Sequence, residues 1–247
     1  RATEYLIENG YENYFTWHDE KAWYPFGRDV SDTSQVTLHF AAAFLYQVFG
    51  FGMPLYTFLI YVPIVISSIT AIVVFGLVRV LAGTTAGLIS SLMFAITVPL
   101  VIRGFAGWFK SEPLGVFLGV LALYFFVSGI KSDNNKISIL KLIAGAFCVT
   151  LSISAWGGSI FFLVVILVFY FALPFLKNQK KYLIYGIPIF SGTVAAFSLM
   201  FERTTDFIIG YVGTPTEAYF LIGYIGYFII FATIFFVISE IIKKFSN

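Results

Sequence analysis

The chain alternates between long apolar runs and short polar connections. Seven runs approach the roughly 20 residues that a helix needs to cross the hydrocarbon core of a bilayer. Backbone polar groups in hydrocarbon must be paired within their own segment, and the runs lack the two-residue alternation of barrel strands, so they predict helices. The predicted spans are approximately 55–81, 84–102, 112–130, 137–155, 159–176, 182–201 and 217–242.

The region before the first run is polar, and we interpret it as an external loop. Apolar side chains recur there three and four positions apart, which predicts two short amphipathic helices at the interface, separated at Asn9 and Gly10. The recurring residues are Ala2, Tyr5, Leu6, Tyr11, Tyr14 and Phe15. The segment Val36–Phe49 is apolar but too short to span, and it predicts an interfacial helix. The predicted domains are an external loop over 1–54 and a helical bundle over 55–247.

Composition makes lipid the main solvent of the chain. Hydrophobic residues make up 59% and charged residues 11% of the sequence, whereas about a quarter of a typical globular domain is charged. The net charge of +2 gives no reason to expect a nucleic-acid partner. The first residue is Arg1 and no signal-peptide pattern follows it, so we interpret the sequence as a fragment, incomplete at both ends.

The distribution of charge predicts an orientation in the membrane. With the N-terminal loop outside, nine of the 15 basic residues and only two of the 13 acids lie on the inner side, as the positive-inside rule expects. The inner basic residues are Arg79, Lys131, Lys136, Lys141, Lys177, Lys180, Lys181, Lys243 and Lys244. The acidic outer side offers oxygen ligands for a divalent cation. The simpler alternative is a solvated loop surface.

Three outer connections carry the polar residues of interest. Arg103 and Glu112 flank the first connection, where ionisable groups beside a span indicate a functional site or mark the helix ends. The second connection offers glycines that let a backbone approach a ligand, next to an aromatic wall. Its residues are Trp156, Gly157, Gly158 and Ser159. Arg203, in the third connection, suits an anionic lipid headgroup or pairing with neighbouring acids.

Motifs of common soluble enzymes are missing from the sequence. His18 and His39 lack the spacing of a zinc site. The chain also has no glycine-rich phosphate loop ending in Lys-Ser or Lys-Thr, and no Gly-x-Ser-x-Gly nucleophile turn. The sequence therefore gives no support to an ATPase or a serine hydrolase.

Four longer motifs occur in order on the predicted outer side. Residues 1–6 read Arg-Ala-Thr-Glu-Tyr-Leu, and residues 17–28 read Trp-His-Asp-Glu-Lys-Ala-Trp-Tyr-Pro-Phe-Gly-Arg. Residues 103–112 read Arg-Gly-Phe-Ala-Gly-Trp-Phe-Lys-Ser-Glu, and residues 155–158 read Ala-Trp-Gly-Gly. These segments resemble the first external loop, the second acidic motif and the Ala-Trp-Gly-Gly turn of the catalytic subunit of oligosaccharyltransferase, in its archaeal type.

The resemblance implies an all-α, polytopic membrane bundle of the C-type glycosyltransferase kind. It also implies transfer of a glycan from a polyprenyl phosphate or pyrophosphate carrier to the Asn of Asn-x-Ser/Thr in an acceptor polypeptide. Mn²⁺ or Mg²⁺ is the implied cofactor, and further subunits are expected partners. The implied location is the archaeal plasma membrane with the active face external, or the endoplasmic reticulum in a eukaryote. The fragment alone is expected to be inactive.

The resemblance also assigns roles to residues. Glu112 matches the last acid of the second acidic motif, which makes it the expected metal ligand and catalytic residue. Arg103 matches an arginine near the acceptor site, and residues 156–159 match the region that lines the carrier phosphate. Arg28 and Arg203 are assigned to substrate binding. Lys110 stands where the motif has its first acid, and a protonated lysine has no lone pair to donate and repels a cation.

Two other classes of function stay open on the sequence. One is another C-type glycosyltransferase of lipid-linked sugars, such as a mannosyl- or arabinosyltransferase. The other is a transporter or flippase of lipid-linked glycans, a class in which internal repeats with broken helices are common. No internal repeat is visible in this sequence.

Overall fold

The chain folds almost entirely into helices. The computed structural model describes residues 1–176, 181–200, 211–212, 219–220 and 224–246. The α-helices are α1 Ala2–Asn9, α2 Val30–Thr33, α3 Val36–Phe49, α4 Leu55–Ala82, α5 Thr84–Ile96, α6 Val98–Gly104, α7 Ser111–Ile130, α8 Asn135–Ala155, α9 Ile160–Ala172, α10 Leu183–Ser198 and α11 Tyr224–Ser246. Two short strands, β1 Tyr211–Val212 and β2 Tyr219–Phe220, pair antiparallel. The predicted all-α membrane bundle is confirmed.

Five helices of the described part are long and apolar enough to cross a membrane. They cover Leu55–Ala82, Ser111–Ile130, Asn135–Ala155, Gly157–Phe175 and Tyr224–Lys243. These helices confirm an integral membrane protein. The count of about seven spans stays a prediction, because α10 has only 16 residues and α5 and α6 reach spanning length only as a pair.

The predicted span over 84–102 is broken at Thr97. Its two halves, α5 and α6, are bent by 63° relative to one another. Pro99 lies in the first turn of α6 and has no backbone N–H to pair with a carbonyl four residues earlier, so a continuous helix is disfavoured there. Thr97 Oγ1 donates to the Met93 carbonyl at 2.5 Å, which pairs one carbonyl at the break. The structure thus differs from the continuous helix that hydrophobicity predicts.

The predicted helices of the external loop pack onto α3. The first is α1, and the second is a 3-10 helix over Glu12–Thr16 rather than an α-helix. Leu6 and Tyr14 are fully buried in one cluster with Val36 and Ala43 of α3. The apolar pattern predicted that these helices lie at the membrane interface. In the structure, the side chains of Leu6 and Tyr14 are buried against α3 instead.

Helices α7 and α8 pack closely because small residues line their contact. Ser152 Oγ on α8 donates to the Gly115 carbonyl on α7 at 2.6 Å. A Cβ atom on Gly115 would lie 2.6 Å from the Cβ of Trp156 and 2.8 Å from Ser159 Oγ. Small residues of this kind let transmembrane helices approach each other. Gly115 thus lets the turn after α8 lie directly against α7, one helical turn beyond Glu112.

Substituting Gly115 tests this close approach. We expect Gly115→Ala to destabilise the protein by about 1–3 kcal/mol, because the added methyl group overpacks the contact with Trp156. The measurement is unfolding in a denaturing detergent, followed by circular dichroism. The matched control is Gly192→Ala in α10, where an added Cβ meets nothing within 4 Å. Equal stability of the two variants would contradict the packing argument.

Candidate functional site

The connection between α6 and α7 is anchored to α4. The Gly107 N–H donates to the Ile60 carbonyl at 3.0 Å. Gly107 has φ 84°, a left-handed conformation that favours glycine. The Lys110 N–H donates to the Trp108 carbonyl at 2.9 Å, which tightens the turn before α7 begins. This turn brings the end of α6 next to the start of α7.

An ion pair joins the two ends of the connection. Arg103 Nη1 donates to Glu112 Oε1, and the Glu112 side chain is 20% exposed. Glu112 Oε2 is buried and accepts no hydrogen bond within the described residues. An unpaired buried carboxylate oxygen is costly. This oxygen is therefore available to a ligand donor or to a cation.

Glu112 lies at the boundary of two cavities. The apolar cavity has a volume of about 520 Å³ and is lined mainly by α6 and α7, with further residues from α4 and α5 and with Trp156. The polar cavity has a volume of about 390 Å³ and lies between the N-terminal segment, α3 and the start of α7. Its polar lining residues are Arg1, Thr3, Gln35, His39, Lys110, Ser111 and Glu112. A single acid thus faces both an apolar and a polar space.

The Trp156 turn supplies one wall of the apolar cavity. Trp156 is extended, with φ −148° and ψ 118°, and a 3-10 helix over Gly157–Ser159 follows it. A Cβ on Gly158 would lie 2.6 Å from the Trp156 ring, so the glycine makes room for the indole. Ser159 is fully buried, and its Oγ has no partner in the described part of the chain. Of these four residues, Trp156 lines the apolar cavity together with Arg103 and Glu112.

Arg28, which was assigned to substrate binding, is not part of this grouping. Arg28 shares two backbone hydrogen bonds with Asp19, and its guanidinium lies 5.6 Å from the centroid of the Trp23 ring. It lines neither of the two cavities. Arg203 lies outside the described residues.

Trp108 is a site residue that sequence reasoning missed. Lys110 Nζ lies 4.5 Å from the centroid of its ring, and the Arg103 guanidinium carbon lies 5.2 Å away. Both distances are typical of cation–π attraction. A tryptophan between two basic residues in a short connection is the local signal that points to this arrangement.

His39 and Tyr14 form a second feature that was missed. The Tyr14 hydroxyl and His39 Nδ1 are hydrogen-bonded at 2.7 Å. Burial lowers the pKa of His39 to about 4, with a further contribution from the charge of Arg28, and burial raises the pKa of the Tyr14 phenol. The imidazole is therefore neutral near pH 7. No local pattern connects two residues that are 25 positions apart.

The described residues offer one metal ligand rather than a complete metal site. No group of three or more His, Cys, Asp or Glu side chains that could hold a metal occurs in the described part of the chain. Divalent cations such as Ca²⁺ and Mg²⁺ take about six oxygen ligands. Glu112 can contribute one of them through its free oxygen, while the Lys110 ammonium two positions earlier opposes a cation.

The fold and the site define a polytopic membrane protein with a polar site at one end of its helical bundle. The chain belongs to the family described as "Oligosaccharyl transferase STT3, N-terminal", whose model matches residues 1–244. This match confirms the family that the external-loop, acidic and Ala-Trp-Gly-Gly motifs indicate.

Curated relatives and solved structures agree with this membership. The chain is 27% identical over 210 residues to the STT3B subunit of Arabidopsis thaliana dolichyl-diphosphooligosaccharide–protein glycosyltransferase, covering 81% of the chain and 28% of the relative. It is also 27% identical over 208 residues to the STT3 subunit of Saccharomyces cerevisiae, with the same coverage. The chain therefore spans less than a third of the length of these relatives.

Two solved structures from Archaeoglobus fulgidus share the fold. An oligosaccharyltransferase in complex with Zn and sulfate matches 97% of the chain and 30% of its own length, with a TM-score of 0.67 and 19% identity. The archaeal oligosaccharyltransferase AglB, with an inhibitory peptide and a dolichol-phosphate, matches 97% of the chain and 28% of its own length, with a TM-score of 0.66 and 20% identity.

The neutral His39 predicts a dependence of stability on pH. Because its folded pKa of about 4 lies below the ordinary 6.5, the unfolded chain binds more protons as pH falls between these values. His39 therefore removes stability as pH drops from 6.5 towards 4, by at most about 3 kcal/mol. The measurement is the free energy of unfolding as a function of pH for the wild type and for His39→Gln. We expect His39→Gln to lose less stability than the wild type between pH 6.5 and 4.

His18 supplies a control of opposite sign. Its hydrogen bond to Asp29 at 2.8 Å and its contact with the Phe26 carbonyl raise its pKa, so its stabilisation is present at low pH and is lost as pH rises. His18→Gln should therefore lose stability mainly at low pH. Parallel pH profiles for wild type and His39→Gln would contradict the buried, neutral imidazole.

Proposed function

We propose that this chain forms part of a catalytic subunit that transfers a glycan from a polyprenyl phosphate or pyrophosphate carrier to the Asn of Asn-x-Ser/Thr sequons. The observation that carries the proposal is the position of Glu112 between an apolar cavity and a polar cavity, with one carboxylate oxygen free. A lipid-linked glycan has the same division between an apolar chain and a polar head. Family membership supports the same reaction.

The apolar cavity suits the first isoprene units of the carrier. Its lining by Phe94, Pro99 and Val116 offers only hydrocarbon contacts, and Arg103 and Glu112 lie on the same wall. In this proposal Trp156 packs against the carrier next to its phosphate, while Gly157, Gly158 and Ser159 support the Trp156 turn. The related AglB structure contains a dolichol-phosphate, which supports a lipid phosphate as ligand.

We assign Mn²⁺ or Mg²⁺ as the cofactor, with Glu112 as one ligand. Bound there, such a cation would neutralise charge on the leaving phosphate. Arg103 pairs with Oε1 of Glu112, and Oε2 is left without a hydrogen-bond partner in the described residues. Further ligands would have to come from outside the described residues, and the related structure with Zn supports a divalent ion.

The remaining assignments rest on the sequence and its charge rather than on the two cavities. Residues 1–54 would form an external loop that covers the bundle of residues 55–247, with the acceptor polypeptide approaching on this side. Arg28 and Arg203 would supply positive charge to the anionic head of the carrier. In this proposal the active face is external in an archaeal plasma membrane, or lies in the endoplasmic reticulum of a eukaryote, and further subunits are partners.

Replacing Glu112 tests the proposed role. In full-length protein reconstituted with a lipid-linked glycan and a sequon peptide, we expect Glu112→Gln to lower the transfer rate by at least about 100-fold, because an amide is a far weaker metal ligand and does not balance Arg103. The assay measures glycopeptide formed per minute, with Mn²⁺ and with chelator. Glu240→Gln is the matched control, since Glu240 is paired with Lys243 on α11, away from both cavities.

The alternatives give different results in the same preparation. A wild-type protein that moves the lipid-linked glycan across the bilayer without forming glycopeptide would be a flippase. A wild-type protein that transfers sugar only to a non-peptide acceptor would be another C-type glycosyltransferase. Undiminished transfer by Glu112→Gln would exclude Glu112 as the metal ligand.

A further inference from the structure

Three cationic side chains line the two cavities at Glu112, and one of them lacks a carboxylate. Arg103 is paired with Glu112, and Arg1 is paired with the buried Asp19 at 2.5 Å. Lys110 Nζ contacts the Trp108 ring instead and makes no salt bridge to any described carboxylate. An aromatic ring attracts a cation but accepts none of its three N–H donors in a normal hydrogen bond. One positive charge near the polar cavity is therefore unbalanced.

Other donors in or beside the connection before α7 also lack acceptors. Trp108 Nε1 is buried and has no hydrogen-bond partner within the described residues. No side chain caps the N-terminus of α7, a 20-residue helix that begins at Ser111. The free N–H groups of a helix N-terminus favour an anion. His39, which lines the same cavity, is neutral and adds no charge to it. Arg1 and Lys110 outnumber Glu112 among the charged side chains that line the cavity, so its lining has a net positive charge.

We propose that Lys110, held by the Trp108 ring at the uncapped start of α7, binds a phosphate group in the polar cavity without a divalent cation. The family motif has an acid at this position, and an acid attracts phosphate only through a bound metal. Lys110 supplies the positive charge directly. The phosphate is either the headgroup of a lipid carrier or free phosphate. The inference rests on the proposed function only where it names the lipid carrier as a source.

Equilibrium binding in chelator tests this site apart from catalysis. The full-length protein is placed in nanodiscs of neutral lipid with EDTA, and binding of radiolabelled inorganic phosphate and of a radiolabelled polyprenyl monophosphate is measured. We expect the wild type to bind the polyprenyl monophosphate. Lys110→Gln should weaken binding about tenfold or more, because a charge-assisted contact is lost. Lys110→Arg should stay within about threefold of the wild type.

Two further variants sharpen the comparison. Lys136→Gln removes an exposed lysine at the start of α8, near the opposite end of α7, and should leave phosphate binding unchanged. Lys110→Asp restores the acid of the family motif, so it should lose binding in EDTA and bind Mn²⁺ more tightly than the wild type. Lys110 is exposed, so unfolding midpoints of its variants should match that of the wild type.

Each outcome decides the proposal. Binding of both ligands in EDTA supports a site for the phosphate group itself, and binding of the polyprenyl phosphate alone supports a site for a lipid headgroup. The proposal is overturned by wild-type binding that requires Mn²⁺, by the absence of binding, or by equal binding in Lys110→Gln. None of these results depends on glycan transfer, so the proposed function stands or falls separately on Glu112.

Discussion

Hydrocarbon offers a peptide group no hydrogen-bond partner, and this constraint determines where irregular backbone occurs in the chain. The connection before α7 and the turn after α8 lie at helix ends, and both are tied back by backbone hydrogen bonds, from Gly107 to Ile60 and from Trp156 to Ser152. Helix ends are also where charged side chains are tolerated. The polar site is therefore assembled from the ends of helices that are far apart in sequence, and its precision depends on how tightly those helices pack. Gly115 matters for this reason, although it carries no functional group.

Charge balance connects the site to its proposed chemistry. The Arg103–Glu112 pair satisfies one carboxylate oxygen and leaves the other free, so Glu112 is fixed in place and still available. Lys110, two positions earlier, adds a charge that the described residues do not neutralise. Trp108 keeps the Lys110 ammonium within 4.5 Å of its ring centroid. The charges of Arg103 and Glu112 cancel, and Lys110 adds one positive charge, so this site differs from a cluster of carboxylates and favours a ligand that brings negative charge.

Local patterns predicted the helices well and the contacts between them poorly. Each of the seven apolar runs contains helix in the described residues, because length and hydrophobicity are properties of contiguous sequence. The run over 217–242 also contains the strand β2, and its helix begins only at Tyr224. The pairing of Arg103 with Glu112 was accessible because nine residues and one short turn separate them. The Tyr14–His39 hydrogen bond and the burial of Leu6 against α3 were not, since they depend on how the N-terminal segment folds over the bundle. The break at Thr97 is intermediate, because Pro99 is a local signal for it, whereas the hydrophobicity of the run alone indicates one continuous span.

The 63° bend between α5 and α6 has a consequence for how a ligand arrives. Phe94 lies before the bend and Val98, Pro99 and Leu100 lie after it, and all four line the apolar cavity. A straight helix would carry these side chains along a single axis, whereas the bent pair wraps them around a space at the side of the bundle. A lipid tail can enter such a space by lateral diffusion within one leaflet and never has to leave hydrocarbon. Encounter then becomes a search in two dimensions, governed by the surface density of the lipid rather than by its vanishing concentration in water.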